Sequence, residues 1–148
     1  MSEAVIFMGI QASGKSSYYH ENFSEHIHIN LDTLKTRNRE KALLDKTIAE
    51  KKDFVSDNTN PTPEDRKRYI LSAKTAGYTV IGYYFSSSVS ECIGRNRLRS
   101  AEKRVPDIAV AATHKKLVLP SYEEGFDRLY YVRLTEKGFI TSEWSDEK

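Results

Sequence analysis

Eight consecutive residues, Gly9-Ile10-Gln11-Ala12-Ser13-Gly14-Lys15-Ser16, match the spacing G-x-x-x-x-G-K-[ST], and Ser17 adds a second hydroxyl. Such a segment can hold an anion. The glycines let the backbone turn tightly, so that successive N–H groups point inward at phosphate oxygens, and a helix starting there adds its positive end. Lysine at the seventh position reaches the β and γ phosphates of a triphosphate, and the hydroxyl at the eighth can ligate Mg²⁺. The pattern assigns Gly9, Ala12, Ser13, Gly14, Lys15, Ser16 and Ser17 to a nucleoside triphosphate and its metal. With glycine at about 7% of average usage, a chance match in a chain of this length is on the order of one in a few hundred.

The loop specifies only the phosphate donor. A GTPase of the Ras type would carry N-K-x-D for guanine, and no such tetrapeptide is present. A large ATPase machine needs far more chain. A kinase acting on a hydroxyl needs a carboxylate beside the attacking oxygen, worth roughly 10² to 10⁴ in rate. Asp32 stands at the end of the second expected strand, where the carboxyl ends of sheet strands open onto a ligand crevice. The residue type suits two roles equally, general base or helix N-cap. Further on, "RNRLRSAEKR" (Arg95 to Arg104) gathers Arg95, Arg97, Arg99, Lys103 and Arg104 against Glu102 alone, a local positive field for an anion or else a solvated helix face.

The elements that must position these residues are legible in outline. Ala4 to Met8 is a continuous apolar run ending at Gly9, the pattern of a strand buried on both faces, and a helix is expected from about Gly14 to Asn22. "HIHINL" (His26 to Leu31) alternates as a second strand. Asp32 to about Lys51 lacks Gly and Pro and predicts one helix. A short third strand ends in Asp57. Thr62, Pro63 and Asp65 form a strong helix start, and Gly77 stops that helix after Ala76. Thr79 to Phe85 is a strand, and Ser88 with Glu91 opens a helix expected to carry Arg95, Arg97 and Arg99. Pro106 to about Leu117 predicts another helix and Leu129 to Leu134 a last strand, followed by a polar tail that is an edge element or frayed. Strands alternating with helices imply an α/β fold with a parallel sheet of about five strands flanked by helices; with the phosphate loop after the first strand a P-loop NTPase domain is expected, and the late arginine-rich helix suits a lid that closes over the nucleotide.

Composition agrees with a single folded domain over residues 1–148: 39% hydrophobic, 30% charged and a formal charge of +2. The lone Cys92 excludes an internal disulfide framework, and without Cys clusters a structural zinc site has no ligands. No segment reads as a signal peptide or membrane span, so a cytoplasmic protein is expected. His26 and His28 share one side of a strand and could touch a metal, yet lack a third ligand nearby. The pairs Tyr18–Tyr19, Tyr83–Tyr84 and Tyr130–Tyr131 read as core and sheet positions, with base stacking as the alternative.

Beyond the loop, "INLDTLKTR" (Ile29 to Arg37), "SDNTNPTPEDRKRY" (Ser56 to Tyr69), "RNRLR" (Arg95 to Arg99) and "LPSYEEGFDRLYYVRL" (Leu119 to Leu134) occur in the order and near the spacing of one family. Across almost its whole length the chain resembles the kinase domain of 5′-polynucleotide kinases. The resemblance implies ATP as donor, Mg²⁺ as cofactor and a 5′-hydroxyl end of DNA or RNA as acceptor; the same fold also serves small-molecule and nucleoside kinases. It implies Asp32 as general base, Lys15 on the transferred phosphate, and Arg99 as the lid arginine over the donor phosphates, with Arg95 or Arg97 sharing that role. It places Asp57 near the metal and Thr59 and Asn60 against substrate, whereas the residue types alone suit turns and a loop hydroxyl.

Two positions depart from the family pattern. Leu31 stands where relatives often carry Arg, and Lys35 stands where an Arg that grips a substrate phosphate is common. Lysine lacks the planar two-pronged donor, which makes Arg37 the compensating candidate. Relatives are often fused to a phosphatase or ligase; the D-x-D-G-T signature of that phosphatase is absent, so an end-healing partner is expected to be a separate protein.

Overall fold

The structure, a computed structural model, describes residues 2–86 and 88–145. Its strands are β1 (Glu3–Met8), β2 (Ile27–Ile29), β3 (Phe54–Ser56), β4 (Thr79–Phe85), β5 (Arg128–Thr135) and β6 (Gly138–Glu143). They form one sheet in the order β2-β3-β1-β4-β5-β6, parallel except for β6, which pairs antiparallel with β5 at the edge. The polar tail expected after Thr135 is thus a sixth strand. The α/β layout follows the β-then-helix alternation of the sequence.

β1 is central because its residues are apolar on both sides. Ala4, Ile6 and Met8 join Phe54, Val80, Tyr69 and Ile70 in the core under the helices Arg37–Ala49 and Pro63–Thr75, while Val5 and Phe7 join Val55, Ile81, Phe85 and Tyr18 on the face covered by the helix Lys15–Asn22. The helices are α1 (Lys15–Asn22), α2 (Leu31–Leu34), α3 (Arg37–Ala49), α4 (Pro63–Thr75), α5 (Val89–Arg97) and α6 (Asp107–Lys116), with a short 3₁₀ turn at Tyr122–Glu124. Each fully buried Ile, Val or Phe contributes roughly 1.5–3 kcal/mol, and β1 places Val5, Ile6 and Phe7, all fully buried, at the middle of the sheet. The tyrosine pairs are structural, as their strand positions implied: Tyr83 stacks on Tyr130 and Tyr84 on Tyr131, each directly across the β4–β5 ladder. Among the described residues no helix is long and apolar enough to cross a membrane.

Local signals account for most boundaries. Thr62 caps α4 by accepting from Asp65 N, Pro63 opens it, and Gly77 (φ 83°) follows its end. Ser88 caps α5 in the same way, through Glu91 N. The expected helix from Asp32 to Lys51 is two helices. Lys35 adopts φ 75° after α2, and Thr36 restarts the chain as α3 by accepting from Arg39 N. The Arg-bearing helix also ends earlier than expected: Leu98 is its C-cap, and Arg99 lies in the turn beyond.

Candidate active site

The carboxyl ends of β1, β2 and β3 open onto one cleft of about 610 Å³. The loop after β1 forms its floor. Gly14 has φ 102°, and a Cβ there would sit 2.9 Å from the Phe139 ring, so the turn into α1 admits glycine on both counts. Within the loop, Gly9 and Ser13 fall outside the cleft lining: Gly9 N donates to Thr59 O at 3.0 Å, and Ser13 Oγ accepts from Lys15 Nζ at 3.4 Å. Ala12, Gly14, Lys15, Ser16 and Ser17 line the cleft. Lys15 is buried, and its Nζ donates to the carbonyls of Gly9 (3.0 Å) and Ile10 (2.8 Å). Burial holds its pKa down to about 8, although Asp57 pulls the other way.

Because β3 pairs directly with β1, Asp57 emerges beside the loop, and Ser16 Oγ donates to Asp57 Oδ2 at 2.8 Å. Asp57 is fixed in turn. Its N–H donates to Ile29 O and its carbonyl accepts from Asn30 Nδ2 at 2.7 Å. His28 Nε2 lies 2.7 Å from the same Oδ2, and its ring stacks on Tyr19 at 3.9 Å and 12°. His26 instead meets Glu3 at 2.7 Å, so the two histidines serve separate carboxylates rather than a shared metal, and no group of three His, Cys, Asp or Glu among the described residues could hold one. Ser16 and Asp57 do fit Mg²⁺ of the kind that keeps its waters and takes one carboxylate plus substrate phosphates: both are hard oxygen donors, already adjacent.

Asp32 is released from the capping role its residue type allowed. Asn30 caps α2, accepting from Thr33 N at 3.2 Å, which leaves Asp32 exposed in the first turn on the cleft wall. It makes no hydrogen bond or ion pair among the described residues. Asn30 was recoverable from sequence as an Asn at the mouth of a short helix, a signal hidden by the neighbouring Asp.

The remaining expected residues divide. Arg95 and Arg99 line the cleft; Arg95 Nη1 donates to Ala12 O at 3.3 Å, and the Arg99 guanidinium is free of partners among the described residues. Arg97 points elsewhere, to Asp107 at 2.8 Å. Arg37 lines the cleft, whereas Lys35 is an exposed residue outside its lining. Thr59 lines it too. Asn60 lines it as well, with its Nδ2 already donating to Phe7 O (2.8 Å) and Ser56 Oγ (3.2 Å), and with φ 41° it is buried in the β3–α4 turn. Val105 and Leu134, which sequence reasoning did not single out, close the apolar side of the cleft.

The residues around Glu124 that carried the resemblance are scaffold. Arg66, fully buried, donates from Nη1 to both Glu124 oxygens (3.2 and 3.0 Å), from Nε to Asn60 O and from Nη2 to the carbonyls of Pro61 and Val118. Gly125 follows in a left-handed conformation, and Phe126 enters the core.

Comparison with known proteins agrees with this architecture. The chain is 30% identical to a bifunctional polynucleotide phosphatase/kinase of Schizosaccharomyces pombe over 84% of its own length, and 30% identical to a protein of Acanthamoeba polyphaga mimivirus, provisionally given the same name, over 86%. It spans about a third of the length of each of these relatives (32%). Among solved structures, Chaetomium thermophilum Kti12 in complex with ADP-AlF3 superposes with a TM-score of 0.71 at 15% identity, covering 90% of this chain and 92% of that one. A gluconokinase from Sinorhizobium meliloti 1021 gives 0.62 at 17%, covering 90% and 83%. These two show the fold. The AAA domain family matches residues 29–120, the stretch from β2 to the start of the Glu124 segment. With the phosphate loop that precedes this span, the chain belongs to the AAA domain family, as a P-loop domain of the kinase type.

Proposed function

We propose that the protein transfers the γ-phosphate of ATP to the 5′-hydroxyl of a DNA or RNA end. The observation that carries this reading is Asp32: a carboxylate relieved of capping by Asn30, exposed and without a partner among the described residues, on the wall of the cleft floored by Lys15. The names of the 30% identical relatives supply the acceptor class.

In this reading the loop N–H groups and Lys15 bind the donor phosphates, and Ser16 and Asp57 hold Mg²⁺. The chemistry a bound Mg²⁺ supplies is neutralisation of charge on the β and γ phosphates. Asp32 accepts the proton of the attacking hydroxyl as its oxygen bonds to the γ phosphorus and the β–γ bridging oxygen leaves with ADP. Lys15 and Arg99 stabilise the charge of the transferring group. Base identity matters little, since a sugar hydroxyl and a neighbouring phosphate are common to all nucleic acid.

Incubation with γ-labelled ATP, Mg²⁺ and a 5′-hydroxyl oligonucleotide tests the proposal. Label should appear at the 5′ end, and Asp32→Asn should lower the rate roughly 10²- to 10⁴-fold. An unlabelled oligonucleotide beside a labelled polyol or nucleoside would replace this acceptor with a small molecule, and full activity in Asp32→Asn would remove the base.

A further inference from the structure

Glu40 takes no part in the chemistry above, yet its carboxylate is buried, 2% exposed, an uncommon place for that side chain. Arg37 Nη1 donates to Oε1 at 2.8 Å. Tyr69 OH and Asn58 Nδ2 donate to Oε2 at 2.9 and 3.0 Å, and Arg68 Nη1 lies 3.8 Å from Oε1. Asn58 also accepts from Leu31 N at 2.9 Å through Oδ1. One carboxylate therefore ties together the first residue of α3, the β3–α4 turn, the interior of α4 and, through Asn58, the residue preceding Asp32.

Stability alone does not call for this arrangement, because well-packed apolar residues commonly replace buried ion pairs without loss. What the carboxylate confers is position. Arg37 spends only Nη1 on the network; its side chain is 50% exposed, its Nε and Nη2 donate to nothing among the described residues, and it lines the same cleft as Asp32 and Lys15. A guanidinium anchored by one nitrogen and free along its other edge presents two parallel donors, the geometry that suits a phosphate.

We propose that Glu40 is a positioning residue for the acceptor: it holds Arg37 against a backbone phosphate near the attacking hydroxyl and, through Asn58, sets the start of the helix that carries Asp32. This rests on the polynucleotide reading above. It deepens that reading by requiring a phosphodiester beside the hydroxyl, which a simple polyol lacks.

The test compares wild type, Glu40→Gln and Tyr69→Phe on 5′-hydroxyl oligonucleotides that carry one neutral methylphosphonate at the first, second or third linkage. On the unmodified strand, Glu40→Gln should raise the acceptor KM roughly 10-fold, as expected when a charge-assisted hydrogen bond is weakened, with the ATP KM unchanged. Tyr69→Phe should move it in the same direction by less, and it carries the test if Glu40→Gln does not fold. At one of the three linkages, neutralisation should abolish the difference between variant and wild type. A penalty that is equal on all strands, or that falls on the ATP KM, overturns the proposal while leaving the polynucleotide reading intact; a wild type that labels no strand overturns both.

Discussion

Ser16 Oγ donates to Asp57 Oδ2 across 2.8 Å, joining the first helix to the end of the third strand. The contact exists because β3 lies directly beside β1 in the sheet. Asp57→Asn keeps the shape of that side chain and removes its charge, so it should weaken the Mg²⁺ dependence of nucleotide binding while metal-free binding changes little. Calorimetric titration of ATP with and without Mg²⁺ measures this. The gain from Mg²⁺ should fall at least about tenfold in the variant, since Asp57 is the carboxylate beside Ser16 and its charge would be lost.

Lys15 makes nucleotide binding and stability depend on pH in opposite senses. Burial holds its pKa at about 8 against an ordinary 10.5, so between those values the unfolded chain keeps a proton that the folded chain has lost. Stability from this group therefore rises with pH across the window, and below about 8 the fold carries the full cost of a buried ammonium. The stability of Lys15→Met relative to wild type should be greatest near pH 7 and decline toward pH 10, as urea melts at both values would show. Triphosphate binding needs the ammonium, so wild-type ATP affinity should fall as pH rises above about 8.

The two arginines that bracket Leu98 should separate cleanly. Arg99 lines the cleft with its guanidinium unengaged among the described residues, while Arg97 pairs with Asp107 on the surface. Exposed pairs of the latter kind contribute about 0–1 kcal/mol. Arg99→Ala should cost on the order of 10² or more in kcat, in line with the loss of a donor aimed at developing charge. Arg97→Ala should change kcat less than about twofold, and equal losses from the two would mean that the helix, not the residue, matters.

Features written in a few adjacent residues were legible in the sequence. The phosphate loop, the buried β1, the Thr62 and Ser88 caps and the Gly77 stop all stand where local chemistry puts them. The break between α2 and α3 is hidden in the sequence because Thr36 caps a helix inside a run of good helix formers that has no Gly or Pro to mark a boundary. β6 read only as an edge or a frayed tail because its partner strand, and the Phe139 contact with Gly14, are nonlocal. In the site, the bond between His28 and Asp57 depends on the register of β2 against β3, with Ile29 opposite Ser56, which no spacing reveals. Asn60 shows the converse: a residue placed correctly at the cleft, whose amide is spent on Phe7 and Ser56 before any substrate arrives.

The buried Arg66 offers a test of how the cleft wall is held. Glu124 neutralises it, but the guanidinium also holds the carbonyls of Asn60, Pro61 and Val118, joining the β3–α4 turn to the segment after α6. Glu124→Gln removes the countercharge and leaves a buried cation, so it should destabilise the protein by about 3–5 kcal/mol. If the ion pair were all that mattered, Arg66→Met combined with Glu124→Leu should restore stability, as apolar replacements of buried pairs often do. The Asn60 and Val118 carbonyls would still lose their donor in that double variant, while Pro61 O would keep the Val118 N–H. Its stability by urea denaturation should therefore stay well below wild type, and the backbone amides of Thr59 and Asn58 should exchange faster with solvent. Full recovery of stability with unchanged exchange would show that Arg66 acts only as the partner of Glu124 and that the turn bearing Thr59 stands without it.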